Sequence, residues 1–233
     1  MSFGRRLVGT FFDPGRTFRG IAERPLWVDT LILLLVLVSL YACLVFPYGQ
    51  KDSLRIMEDN APRLQEKWGG PGYAGALERI RSQSRSLAAF LVTPLTFLGG
   101  LLFSALIVLG LGRMITTQGN YLKVFSSLLH ANLADKFLGN GVRFFLVSDR
   151  GSDLQTSTGL PVCFPRLDVL SNAHAFLSQV DLFQVWTFFL FGVGLAAGFK
   201  ISWKKGLAIS FVFWAFKSLL TAGLIIFRNR MYQ

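Results

Sequence analysis

Residues 180–227 read VDLFQVWTFFLFGVGLAAGFKISWKKGLAISFVFWAFKSLLTAGLIIF. Two apolar runs, Val180–Phe199 and Gly206–Phe227, flank a short turn that holds Lys200, Lys204 and Lys205. Each run is about 20 residues long, the length that crosses a hydrocarbon core. The first holds one charge, Asp181, at its start, and the second holds one, Lys217, at its centre. Such a pair reads as two antiparallel membrane helices, and it sets the fold class: an all-α polytopic helical bundle.

The same criterion finds two more spans, residues 26–46 and 87–111. A weaker one, residues 121–147, contains Lys123, His130, Asp135, Lys136 and Arg143, and Gly139-Asn140-Gly141 threatens to break it. Five spans leave loops 48–86 and 148–178 on one side, with a tail at 229–233. Composition agrees. Residues AVILMFWYC make up 52% of the 233 and charged residues 16%, against about 25% in soluble domains. Disorder and collagen are excluded, and a soluble enzyme is disfavoured. The net charge of +11 would suggest nucleic acid in a polar chain. In a chain this apolar it reads as topology and contact with lipid headgroups, so the lipid bilayer is the expected partner and nucleic acid is not.

Residues 1–25 form a basic segment before the first span, and they do not read as a cleaved leader. Asp13-Pro14 is a helix start, with Asp as N-cap and Pro at the first position, and Pro25 ends the helix near Glu23. Phe11, Phe12, Phe18 and Ile21 against five Arg make it amphipathic, fit to lie on lipid or to pack under the bundle. Positive-inside counting leaves the two sides nearly equal. The density of Lys200, Lys204 and Lys205 favours the N-terminus inside and the C-terminus outside. In loop 48–86, Leu54, Met57, Ala61 and Leu64 predict a surface helix from Asp52 to Trp68. Gly69-Gly70-Pro71-Gly72 breaks it, and a second helix from Tyr73 runs toward the next span, which Pro94 kinks.

No phosphate loop, nucleophile elbow, metalloprotease helix or C-x-x-C occurs. No catalytic residue, metal ligand or cofactor is assigned, and the chain is not expected to be an enzyme. Cys43 reads as a small apolar residue in a span, and a disulfide with Cys163 is conceivable only in an oxidising compartment. Lys217 stands out. It lies about half-way along its span, where a charge costs several kcal/mol, so it should face the interior and find a partner. Asp135 is the expected partner, with Asn132, His130 and Lys136 as neighbours. That set is either an ion, proton or ligand site or a buried pair that fixes packing, unless Lys217 snorkels or faces a water-filled dent. An intramembrane enzyme would need His130, Asp135 and Lys217 to converge. Gly192, Gly194 and Gly198 let a neighbouring helix approach closely, and Gly99, Gly100, Gly110 and Gly112 suggest a similar face.

Three stretches together resemble the bacterial branch of the Yip family, five-span membrane proteins. They are FFDPGRTFRGIAERPLW at 11–27, Gly112-Arg113 leading to Tyr121-Leu122-Lys123, and NAHAFLSQVDLFQVWTFFLFGVGLAAGFKIS at 172–202 followed by WKKGLAISFVFW. The family positions are Asp13, Pro14, Phe18, Asp181, Phe183 and Trp186, then the three glycines. From the residues alone, Asp181 caps the fourth span, while Phe183 and Trp186 anchor it at the interface. The resemblance implies five spans with a cytosolic N-terminus. The expected role is a scaffold or partner-binding component of an inner-membrane complex, meeting other membrane proteins or copies of itself. The rival is a small transporter or accessory transport subunit that uses the polar groups around Lys217.

Overall fold

The structure, a computed structural model, describes residues 1–82, 87–153 and 158–230. It is an all-α bundle. Two short helices, α1 (Phe3–Phe12) and α2 (Pro14–Glu23), precede the long helices α3 (Val28–Asp59) and α4 (Ala61–Ser82). Then come α5 (Leu87–Arg113), α6 (Tyr121–Leu133), a π-helical turn (Ala134–Gly139), α7 (Asn140–Arg150), α8 (Asn172–Leu177), α9 (Leu182–Phe199) and α10 (Trp203–Asn229). Among the described residues four helices are long and apolar enough to cross a membrane: α3, residues 91–113 of α5, α9 and α10. This is an integral membrane protein. On α3, Val28, Ile32, Val36, Leu40 and Leu44 recur every four residues and are all exposed, a stripe of one face turned to lipid.

Asp13 caps α2 as expected, accepting from Arg16 N at 3.2 Å, with Pro14 in the first turn. Phe18 and Ile21 are fully buried against α6 and α9, so α2 is part of the core. Of the four apolar residues that made the segment amphipathic, Phe12 is exposed, at 85%. A further helix, α1, folds back on α2, and Gly9 meets the Thr17 hydroxyl so closely that no β-carbon would fit. Arg6 on α1 is buried and pairs with Asp29 at the start of α3.

The loop reading needs correction. The helix does not end with the first span near Phe46: α3 runs on through Pro47 to Asp59, and a new helix begins at Ala61. The expected helix 52–68 is therefore two helices joined at Asn60. The glycine run is a kink at one residue, Gly69, whose φ of +73° only glycine adopts freely. Met57, Leu64 and Tyr73 make a separate small core in this α3–α4 hairpin. The expected junction of the second loop helix with span two falls at residues 83–86, outside the described residues. The expected break at Gly139-Asn140-Gly141 does not occur either. The chain stays helical from Tyr121 to Arg150 by widening to a π turn, in which Asn140 N bonds to Asp135 O. A β-carbon on Gly139 would lie 3.0 Å from Phe183, so its lack of a side chain serves packing.

Contacts between helices fix their relative heights. α3 climbs in step with α6 and α7: Ser126 reaches Leu26 O, Thr30 reaches His130, and Ser152 reaches Asp52. α9 descends beside them, with Gly194 on Ser127, Gly198 on Lys123 and Phe183 on Gly139. α10 climbs again, with Leu207 on Gly192 and Ser210 Oγ donating to Phe188 O at 2.6 Å. Measured from Trp27, Lys217 stands level with Phe183 and Gly139, about 18 Å up at 1.5 Å per residue. A core of about 30 Å puts that near mid-depth. Asp181 stands only slightly higher. Asp52, at about 36 Å, is beyond it.

The glycines of α9 behave as expected. A β-carbon on Gly192 would lie 2.6 Å from Leu207, and one on Gly194 2.7 Å from Ser127 and 2.8 Å from Phe18. On α5 only Gly112 is crowded, by Phe199, whereas Gly99, Gly100 and Gly110 meet nothing within 4 Å. Cys43 and Cys163 are both free.

Candidate functional site

The expected pair of Lys217 and Asp135 does not form. Asp135, buried on the π turn, is held by Lys136 at 2.6 Å and by Arg143 at 2.7 Å. Arg143 lies two turns further on, and its guanidinium also reaches Asp181 at 2.9 Å. Its Nε donates to Thr158 Oγ1 at 3.0 Å and its Nη1 to Asn140 Oδ1 at 3.2 Å, while the ring of Phe183 lies beneath it. A guanidinium suits this role because Nη2 faces both carboxylates while Nη1 and Nε remain to donate to Asn140 and Thr158. Asp181 is also the N-cap of α9, accepting from Phe183 N at 2.8 Å and Gln184 N at 3.1 Å, and the Thr158 hydroxyl donates to its other oxygen. The first N–H groups of such a helix need partners that lipid cannot supply. Asp181 meets them, and Arg143 balances the charge that Asp181 brings.

Lys217 stands apart. Its ammonium lies over the ring of Phe188 at 5.6 Å, and among the described residues no carboxylate comes within ion-pairing distance. It lines a cleft of about 200 Å³ between α5, the π turn, α9 and α10, together with Asn132, Asp135 and Lys136. Gln184 and Ser104 share that cleft, and the Asn132 amide donates to Leu128 O. Four of the five candidate residues are thus brought together.

His130 is not. It is fully buried, its Nδ1 2.8 Å from Ser126 O and its Nε2 3.0 Å from Thr30 Oγ1. Its neighbours lead to Asp29 and Arg6, so His130 belongs to the latch between α1, α3 and α6. The convergence an intramembrane enzyme would need is absent.

The match that decides the family spans residues 8–225, found by a family model described as the Yip1 domain. The chain belongs to the Yip family. No curated protein and no solved structure matched it.

In this Yip-family chain the resembling positions take distinct places. Asp13 and Pro14 start α2, and Phe18 fills the space left by Gly194. Asp181 and Phe183 belong to the charge network. Phe183 packs on Gly139, and Trp186 meets the ring of Phe11 edge-on at 5.7 Å. The residue that sequence reasoning passed over is Arg143. Its signal was present: an Arg eight positions after Asp135 in an apolar run lies two turns along one helix face. Thr158 sits in a loop that gives no such signal.

A second, longer groove of about 690 Å³ runs between α3 and α5. It starts beside Gln50, Ser53 and Asp153 and descends past Thr93 and Thr96 to Lys136. Lys136 and Phe97 line both this groove and the Lys217 cleft, so the two adjoin at mid-depth. Asp153 lies beyond the membrane. Burial first, then the nearby Asp52 carboxylate, raises its pKa.

Proposed function

We propose that this protein is a scaffold or partner-binding component of a complex in the bacterial cytoplasmic membrane. Five spans cross it, α6–α7 with its π turn being the third, with the N-terminus inside and the C-terminus outside. It is not an enzyme. The observation that supports this most is the α3–α4 hairpin. It projects past the bilayer level, holds its own small core and carries exposed charges and Trp68 on its surface. Within it Gln50 donates to Ile80 O at 2.6 Å; it meets the rest of the chain where Lys67 donates to Arg230 O at 3.1 Å and where Asp52 accepts from Ser152 Oγ at 3.1 Å and Asp153 N at 2.7 Å. A helical hairpin raised on a continuous span suits contact with other membrane proteins or a second copy.

The test is purification in mild detergent with identification of companions. Arg55→Glu with Arg63→Glu should lose the companions that the wild-type protein retains, while monomer elution and helicity stay unchanged. Companions held equally by both proteins would refute the hairpin as platform. The second reading, a small transporter or accessory transport subunit, is favoured by the polar groove that reaches Lys136. Flux in proteoliposomes that disappears in Lys217→Met would support it.

A further inference from the structure

The charge network is short of one negative charge. Asp135 and Asp181 face Lys136 and Arg143, two against two. Lys217 is a third cation at the same depth, and both oxygens of Asp135 are already engaged by its other partners. The Phe188 ring supplies only a weak cation–π contact and accepts none of the three ammonium hydrogens. An uncompensated charge at this depth is costly, and in membrane helices such groups are paired. The cleft that Lys217 lines is apolar over much of its wall, through Phe97, Leu101 and Phe213. Its polar lining is Lys217, Ser104, Asn132, Asp135, Lys136, Gln184 and Thr187. Asp135 is paired with Lys136 and Arg143, and Asn132 and Thr187 donate to backbone carbonyls, whereas the Gln184 amide and the Ser104 hydroxyl have no side-chain bond among the described residues.

We infer that this cleft is an oxyanion-binding site, in which the Lys217 ammonium, the Gln184 amide and the Ser104 hydroxyl receive a carboxylate or phosphate group. A volume of about 200 Å³ holds such a group with a few waters, or with the first methylenes of an attached chain. It excludes a large sugar headgroup. Two routes lead there. α10 packs chiefly on α9, and Lys217 itself is accessible on the side of α10 that carries the exposed Phe216 and Leu220, so an amphiphile can enter from the bilayer with its chain left in lipid. The groove from Gln50 and Ser53 down to Lys136 offers a polar approach for a free solute. The site requires neither the scaffold nor the transport reading, and binding is measured without partner or flux.

The experiment uses the full chain in maltoside detergent and radiolabelled dodecanoate, with dodecanol and inorganic phosphate as competitors. Wild-type protein should bind dodecanoate saturably. Lys217→Met should weaken binding about 10-fold or more, the scale of one lost charge-assisted bond. Lys217→Arg should restore most of it, and Gln184→Leu should weaken it several-fold. Displacement by phosphate supports the site with a soluble ligand, and resistance to phosphate supports it with a bilayer amphiphile. Equal binding by wild type and Lys217→Met, in samples of equal helicity and elution volume, would overturn the inference. So would displacement by dodecanol as effective as by unlabelled dodecanoate, since only the chain would then be recognised.

Discussion

Arg143→Met tests the network at its centre. In the wild-type protein one guanidinium holds Asp135 at 2.7 Å and Asp181 at 2.9 Å, and donates to Thr158 and Asn140 as well. Methionine keeps much of the stem volume, so packing changes little. Asp135 keeps Lys136, and Asp181 keeps its two α9 amides and Thr158, so neither carboxylate is stripped bare. Two buried charge-assisted contacts of about 1.5–3 kcal/mol each are lost, which agrees with the 3–5 kcal/mol typical when one partner of a buried pair is removed. At roughly 2–4 °C per kcal/mol for a chain of this size, that is a fall in Tm of about 6–20 °C. Arg143→Lys should fall in between, because an ammonium can stay near the carboxylates but has no further nitrogens for Thr158 and Asn140. Tryptophan fluorescence against temperature in detergent reads the shift. A cycle with Asp181→Asn then isolates the pair, with an expected coupling above about 1 kcal/mol. A Tm within a degree or two of wild type, or a coupling near zero, would refute the assignment of this network as what holds α6–α7 to α9.

Other consequences follow from single contacts. Gly192→Leu should abolish correctly folded protein, since a β-carbon there meets Leu207 at 2.6 Å, whereas Gly99→Ala, with nothing within 4 Å, should leave expression and Tm unchanged. Asp13→Ala should cost about 1 kcal/mol through loss of the α2 cap, visible as faster proteolysis before Trp27. Asp153 has its pKa raised in the folded protein, by burial first and then by Asp52. Its favourable contribution is therefore present below the unfolded pKa near 3.9 and is lost as pH rises through the folded value. Asp153→Asn should be more stable than wild type at pH 7, with the gap closing toward pH 4, as read by Tm across that range. Thr30→Val should destabilise the seat of α1, because His130 Nε2 loses its only side-chain partner among the described residues, and limited proteolysis near Arg6 reads the loss.

The helices were legible because membrane spans announce themselves by length and hydropathy, and because Asp13 and Asp181 are capping residues placed one step before apolar runs. The glycines of α9 were legible for a similar reason, since small residues in a span exist to let something approach. Those of α5 were not separable from them by spacing, and three of the four face open space. The third span was misread at Gly139, where a glycine that ends helices in water permits a close contact with Phe183 in a bundle. The Lys217–Asp135 pairing failed for a plainer reason. Counting residues from each helix end gives depth and not azimuth, and Arg143, on the same helix face as Asp135, was nearer.

The start of α9 also explains why the charges are there at all. α9 is 18 residues long, about 27 Å at 1.5 Å per residue. Its first amides need partners that lipid cannot supply. Asp181 satisfies them but introduces an anion, Arg143 balances that anion, and Asp135 with Lys136 completes an arrangement that is neutral. Each charge in this sequence is a consequence of the one before it, and the chain of necessity ends at Lys136. Lys217 is required by none of these steps. A methionine would serve the packing of α10 against Phe188 with no electrostatic cost. Its presence beside two uncommitted donors is what separates a residue that binds something from one that completes the fold.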